Sequence, residues 1–425
     1  MPGMEYIVIN GQKRLQGKVN ISGAKNAAVA IIPAAAASGG ICILDNIPNI
    51  EDVVSLKAAL ESLGATCEFR DDNHTLVIDS TNINKYTLSE KSSKAARAAC
   101  YFMGVLLARF GKVEMSMPGG CEIGVRAFDY HIKGFETLGA TCTLEHGMIK
   151  IEAKNGLTGG NIYLDSPSVG ATINLMIAAT FASGTTQIEN AAKEPHVVDT
   201  ANFLNKLGAK IGGAGTNTIR ISGVDSLSSG EYTIIPDQVE AGTYMIAAAI
   251  TNGDVTVENI IPKHMEALTS KLREIGAEVT EGPDYIRVQV DAPLKGCDIK
   301  TAGYPGFPTD LQSQMAALLC CSTTSSVVTE NIFENRFRYA GELRRLGAPL
   351  RVDSRSLMIN GNYRLTGAKV KGTDLRACAA LVIAGLAAKG ETMISGIEHL
   401  DRGYERIVEK LKALGADIKR INKEE

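Results

Sequence analysis

The tripeptide Leu/Ile-Gly-Ala occurs six times in this chain. Its glycines, Gly64, Gly139, Gly208, Gly276, Gly347 and Gly415, are spaced by 75, 69, 68, 71 and 68 residues. So regular a period marks a repeat architecture and limits the chain to folds assembled from six copies of one supersecondary unit. Each glycine closes a stretch with apolar residues at helical spacing, such as VVSLKAALESLGA or IVEKLKALGA, where a left-handed C-terminal cap is wanted. An alternating segment follows in every copy (TCEFR, TCTLE, AKIGG, AEVTE, PLRVD, ADIKR). In five copies a second strand returns after a short polar turn: TLVIDS, MIKIEA, TIRISG, YIRVQV and SLMING.

Upstream in every copy lies an Ala-rich segment: NAAVAIIPAAAA, AARAACYFMGVLLARF, SVGATINLMIAATFA, VEAGTYMIAAAI, LQSQMAALLCC and RACAALVIAGLAA. These are apolar nearly all round and are predicted to be buried core helices. A short strand, usually with glycine at its start, leads from each into the amphipathic helix, so the unit reads βαβαββ. The last copy ends at ADIKRINKEE with no return strand, while the chain starts with an orphan strand, YIVING. Pairing the two ends satisfies both. Grouping the copies in threes predicts one domain over 25–235 and a second over 1–24 plus 236–425, each with helices inside sheets, and an active site in the cleft between them.

A formal net charge of −3 over 425 residues provides no global basic field, which argues against a nucleic-acid or anionic-membrane partner. The N-terminus lacks a basic stretch followed by an apolar run, and no long apolar segment is free of polar interruption, so a cytoplasmic protein is expected. Nine cysteines without a C-x-x-C pair indicate neither a disulfide framework nor a zinc site, and no metal is expected. No phosphate-binding P-loop or dinucleotide fingerprint is present, leaving ATP and NAD unsupported and no cofactor expected.

Unusual charged residues gather at the starts of the buried helices and in the turns after the short strands. Lys25-Asn26 opens the first helix, Arg97 lies in the second, Asp310 opens the fifth, and Asp374 with Arg376 opens the sixth; Arg126, Glu194, Arg336 and Arg402 lie in turns. Each alone reads equally as a surface residue or a cap. Together, Lys25, Arg97 and Arg376 place cations where a helix dipole disfavours them, and so call for an anion such as a phosphate plus a carboxylate. The segment MPGGCEIGVRAFDYH, Met117 to His131, puts glycines around Cys121 where an amphipathic helix should begin, in the longest of the six copies. With Arg126 and other cations nearby, Cys121 is expected to be a reactive thiolate on a mobile loop; the alternative is a buried thiol in a tight turn. His131 and His399 are candidate acid–base groups or structural histidines.

The motifs SGAKNAA, PGGCEIG, SVGAT, FPTDLQ, FENRF, TDLRA and DRGYERI follow one another along nearly the whole chain. In that order they resemble the enolpyruvyl transferase family, and within it the members whose acceptor is UDP-N-acetylglucosamine. The resemblance implies an inverted (inside-out) α/β barrel, two domains of three βαβαββ repeats, in agreement with the period. It also implies phosphoenolpyruvate as donor, contacted by Lys25, Asn26, Arg126 and Arg402. UDP-sugar contacts would come from Arg97, from Arg126, Ala127, Phe128, Asp129 and Tyr130, from Ser166, Pro167, Ser168 and Val169, and from Asp310 and Ile332, with Arg336 beside them. Where the family often has a basic residue, this chain has Ser166-Pro167, so backbone donors would serve there. By the same resemblance Asp310 is the base near the sugar hydroxyl, Cys121 is the proton donor and site of a covalent adduct and of fosfomycin alkylation, and Asp374 and Arg376 complete the network. The shikimate-pathway branch of the family and a non-catalytic UDP-sugar sensor are the alternative readings.

Overall fold

The computed structural model describes residues 4–95, 97–117, 128–362 and 364–423. Six buried helices mark the six copies: α1 (Lys25–Ala35), α2 (Phe102–Phe110), α3 (Val169–Ala179), α4 (Gln238–Ile250), α5 (Thr309–Leu319) and α6 (Leu375–Ala387). The chain divides into two compact units. Gly23 to Ile235 contributes most of the one that holds α1, α2 and α3; the segments up to Ser22 and from Pro236 onward form most of the one that holds α4, α5 and α6. Each unit has its own apolar core, built on these helices and on the inward faces of small sheets.

The repeat tripeptide has a local cause. All six glycines adopt φ between 86° and 112°, which only glycine takes without strain. In every copy the glycine and the alanine after it donate to the last turn of the amphipathic helix: Gly64 N–H to the Glu61 carbonyl and Ala65 N–H to that of Leu60, and likewise through Gly415 to Lys412 and Ala416 to Leu411. This is the Schellman arrangement, in which two otherwise orphaned carbonyls are satisfied. The alanines are buried, Ala65 and Ala416 among them, so a larger side chain would have to displace core atoms.

Every copy carries a four-stranded sheet of one pattern. A short leading strand runs parallel to the central strand, the return strand pairs antiparallel with it, and the strand after the amphipathic helix forms the far edge. In the sixth sheet the place of the return strand is taken by Met4–Asn10, which lies antiparallel to Asp417–Lys423 with Ile7 opposite Arg420. The leading strands at the two crossings of the chain are exchanged. Gln16–Asn20 precedes α1 but pairs with Asp254–Glu258, and Gly230–Thr233 precedes α4 but pairs with Ile41–Asp45. Among the described residues the six sheets stay separate, so the helices are wrapped by six small sheets and not by a closed barrel. No described helix is long and apolar enough to cross a membrane.

Candidate active site

In the unit built on α4, α5 and α6, the polar centre forms where α5 and α6 begin. Asp310 stands in the first turn of α5, where a carboxylate suits the helix dipole. Its Oδ1 accepts from Arg336 Nη2 at 2.9 Å and its Oδ2 from Arg376 Nη2 at 3.0 Å. The arginine side chains are only 4% and 6% exposed, whereas the Asp310 side chain keeps 28% of its surface. The cations are thus buried behind a carboxylate whose outer edge is open. Burial works against the Arg376 charge, but Asp310, with Tyr404 and Asp237 adding to it, holds the guanidinium above its ordinary value.

Arg376 is held from behind by Tyr404, a residue the sequence reading passed over between Arg402 and the helix that follows. Thr243 donates its hydroxyl proton to the Val239 carbonyl at 2.8 Å, so at the 2.9 Å contact between them Tyr404 must be the donor. The Tyr404 oxygen then accepts from Gln314 Nε2 at 3.1 Å and from Arg376 Nη1 at 3.4 Å. Gln314 also donates to the Asp310 carbonyl at 3.0 Å. One buried phenol therefore ties α4, α5 and α6 to the Asp310–Arg376 pair. Asp374 is the N-cap of α6, its Oδ1 accepting from the amides of Arg376 at 2.9 Å and Ala377 at 3.0 Å. Arg402 ends the short helix Glu398–Asp401, half-buried, and Ile332 is exposed on a turn.

In the other unit, Lys25 and Asn26 open α1, which lacks a side-chain cap, and both are half-buried. Lys25 Nζ lies 3.0 Å from Asp52 Oδ2, and Asp52 is buried in the first turn of the helix Glu51–Leu63. The expectation that the helix-start cations require a ligand anion is thus modified, because Asp52 and Asp310 supply carboxylates to Lys25 and Arg376 from within. Arg97 lies over the Phe128 ring at 5.1 Å, and Phe128 precedes the helix Asp129–Thr137, which carries Asp129 and Tyr130 in its first turn. Ser166 and Pro167 are exposed, and Ser168 caps α3 by accepting from Ala171 N–H at 3.4 Å, with Val169 the first helical residue. Cys121, Arg126 and Ala127 fall outside the described residues.

The segment expected as one helix through Arg97 is broken. Arg97–Tyr101 is a 3₁₀ turn and α2 begins only at Phe102. The cause is Asn174 of α3, a fully buried amide. Its Nδ2 donates to the Cys100 carbonyl at 2.8 Å while its Oδ1 accepts from Gly104 N–H at 2.7 Å. Those two groups would otherwise bond each other as the i and i+4 partners of a continuous helix. Insertion of a side chain into that ladder is an established cause of helix breaks. A Cβ on Gly104 would stand 2.4 Å from the Asn174 carbonyl oxygen, so glycine is required for the approach.

The second Nδ2 hydrogen of Asn174 points to His131 Nδ1 at 3.0 Å, which places the ring proton on Nε2. Burial, with the Arg97 charge adding to it, pushes His131 down to about 3. The ring is a structural neutral imidazole, which answers the acid–base alternative. Its pH consequence has a definite sign. The unfolded chain takes up this proton below pH 6.5 and the folded chain does not, so stability is lost as pH falls from about 6.5 toward 3. By pH 5 that loss amounts to about 2 kcal/mol. Urea unfolding at pH 7 and pH 5 should therefore show a smaller pH difference for His131→Gln than for the native chain; an equal difference would remove His131 as its source.

Comparison with known proteins adds the chemistry. Residues 9–411 match the family model of EPSP synthase (3-phosphoshikimate 1-carboxyvinyltransferase). The chain is 53% identical, over 98% of its own length and 99% of the relative's, to UDP-N-acetylglucosamine 1-carboxyvinyltransferase 2 of Clostridium acetobutylicum. Against UDP-N-acetylglucosamine 1-carboxyvinyltransferase 3 of Caldanaerobacter subterraneus subsp. tengcongensis the identity is 54%, covering 98% of this chain and 100% of that one. Among solved structures, the enolpyruvyl transferase NikO from Streptomyces tendae superposes with a TM-score of 0.91 at 27% identity, covering 100% of both chains. EPSP synthase from Acinetobacter baumannii, at 19% identity and a TM-score of 0.76 over 99% of this chain and 100% of that one, shares the fold.

Proposed function

The chain belongs to the EPSP synthase family of enolpyruvyl transferases, and on that premise we infer that it transfers the enolpyruvyl group of phosphoenolpyruvate to the 3′-hydroxyl of UDP-N-acetylglucosamine. Phosphate is released, and the product enters peptidoglycan precursor synthesis. What carries the reading is identity above one half, end to end, with relatives named for that acceptor. The geometry agrees in one place, an Asp310 carboxylate braced by two buried arginines with its outer edge open.

The reaction is addition followed by elimination. The sugar hydroxyl oxygen bonds to C2 of phosphoenolpyruvate as its proton passes to Asp310 and C3 gains a proton from Cys121. Loss of a C3 proton with the C2–O bond to phosphate then restores the double bond as an enol ether. Lys25, Asn26, Arg126 and Arg402 serve the phosphate and carboxylate of phosphoenolpyruvate, where charge develops and departs. Arg97, Ala127, Phe128, Asp129, Tyr130, the Ser166–Val169 turn and Ile332 serve the UDP-sugar. Arg336 and Arg376 hold Asp310, and Asp374 acts through the start of α6. We place the protein in the cytoplasm, where both substrates are made, and assign it to cell-wall synthesis and hence to cell shape and division.

Phosphate should appear only when both substrates are present. Intact mass should show a phosphoenolpyruvate adduct and, separately, alkylation by fosfomycin, with both lost in Cys121→Ser. A protein that bound UDP-N-acetylglucosamine but released no phosphate would be a sensor instead, and turnover with shikimate 3-phosphate in its place would move the chain to the other branch of the family.

A further inference from the structure

Glu330 is fully buried, and the roles assigned above do not use it. It stands at the end of the central strand of the fifth copy, in the triplet Glu330-Asn331-Ile332. Three other copies have an acidic residue and asparagine at the same place: Asp45-Asn46, Glu189-Asn190 and Glu258-Asn259. In each, the asparagine amide reaches the end of the leading strand, Asn46 to the Ile234 carbonyl, Asn190 to Leu164, Asn259 to Ile21 and Asn331 to Thr301. The asparagine is therefore a device of the repeat. The acidic residue is not used alike. Asp45, Glu189 and Glu258 are all half-buried, and Glu258 pairs with the exposed Lys18. Asn46, Asn190 and Asn259 also take positive φ, and Asn331 does not, so the backbone turns differently after Glu330.

That different turn brings the Glu330 carboxylate inward onto four donors. Oε1 accepts from the Ile332 amide at 2.8 Å, the Phe333 amide at 3.1 Å and the Thr301 hydroxyl at 2.9 Å. Oε2 accepts from the Thr309 hydroxyl at 2.9 Å. Among the described residues no cation forms an ion pair with it. A carboxylate carried so deep without a cation is expensive unless its acceptor sites are filled, and here amides and hydroxyls fill them. Its two oxygens also divide the work. One fixes the turn that presents Ile332 and Phe333; the other fixes the residue beside Asp310 at the start of α5. Arg336 closes the ring, donating to Asp310 and to the Thr309 carbonyl at 3.2 Å while lying over Phe333 at 5.7 Å.

We propose that Glu330 is a positioning residue for the transfer reaction, setting the Ile332–Phe333 turn against the sugar through one oxygen and Asp310 against the reacting hydroxyl through the other. The proposal rests on the function inferred above. A misplacement of about 1 Å at a reacting group costs on the order of 100-fold in rate, so the two arms are separable by kinetics.

The test measures phosphate release with both substrates varied, and the melting midpoint, for the native chain, Glu330→Ala, Glu330→Gln and Thr309→Val. Glutamine keeps an oxygen for the three Oε1 donors and offers an amide hydrogen to the Thr309 oxygen, so Glu330→Gln should stay within about threefold of native in kcat and KM. Glu330→Ala should raise the KM for UDP-N-acetylglucosamine and lower kcat by about tenfold each, and Thr309→Val should lower kcat alone by about tenfold. A folded Glu330→Ala with both constants within twofold of native would overturn the proposal, as would a Glu330→Gln as impaired as the alanine. Should Glu330→Ala fail to fold, Thr309→Val decides, unchanged kcat counting against the proposal. If the native chain itself releases no phosphate, the functional inference is what fails. Calorimetric affinity for UDP-N-acetylglucosamine then reads the turn-fixing arm, with equal affinity in native and Glu330→Ala overturning it.

Discussion

Replacing Asp310 with asparagine should lower kcat by about 10²–10⁴-fold, the range for losing a general base, and change the KM for UDP-N-acetylglucosamine by less than about tenfold. The two effects separate because the substitution keeps the shape of the side chain and removes its capacity to take a proton. It also disturbs the charges behind it. An asparagine offers one oxygen in place of two, so its amide hydrogens face either Arg336 or Arg376, whose side chains are 4% and 6% exposed. A buried guanidinium facing a donor is an uncompensated charge, and removing one partner of a buried pair costs up to about 3–5 kcal/mol. The 28% exposure of the Asp310 side chain lets water replace part of what is lost. The measurement is single-turnover phosphate release alongside urea unfolding. A kcat within tenfold of native, in a folded protein, would mean that another group takes the hydroxyl proton.

The parts of this molecule legible in its sequence are those with a local cause. The six glycine caps are set by the turn that each must make, and even the alanine after each glycine follows, since its amide completes the cap and its side chain faces the core. The pairing of the chain ends followed from a count of strands. What escaped is non-local. The leading strands, such as Gln16–Asn20, Gly230–Thr233 and Ile299–Lys300, are short, and those at the crossings are largely polar, so no alternation announces them and their exchange between the crossings is invisible. Asp52 reads as an ordinary acidic first-turn residue until Lys25 is seen beside it. Tyr404 sits inside the motif DRGYERI, where the eye goes to the arginine, and its partners come from three helices far along the chain. Asn174 reads as a lone polar residue on a buried helix. Its partners are mostly backbone atoms some 70 positions away, which no residue pattern can reveal.

Asn174 carries the second large expectation. Asn174→Leu keeps the branching of the side chain but removes its hydrogen bonds to the Gly104 amide, the Cys100 carbonyl and His131 Nδ1 at once. Of these, the Gly104 amide and His131 Nδ1 are buried groups that each lose a partner, and at about 1–3 kcal/mol apiece they should cost the fold about 2–6 kcal/mol. That is a large part of the roughly 5–15 kcal/mol that holds a native protein together. The loss should also reach binding, because the 3₁₀ turn that carries Arg97 exists where the Asn174 amide parts the helix ladder. Asn174→Asp separates the wedge from its volume more finely. Aspartate replaces the donor by an acceptor, facing the Cys100 carbonyl and His131 Nδ1, so a hydrogen bond returns only if His131 carries a proton on Nδ1, as the other neutral tautomer or as the imidazolium. A carboxylate neighbour raises the histidine pKa, where burial in the native chain depresses it to about 3. The sign of the linkage then reverses: the ion pair between the introduced carboxylate and a charged His131 is present at low pH and lost as pH rises through the raised value. Native stability falls from pH 7 to pH 5, and that of Asn174→Asp should fall less or rise. Parallel pH dependence in the two proteins, followed by urea unfolding, would show that the amide and the imidazole are not the coupled pair their 3.0 Å contact implies.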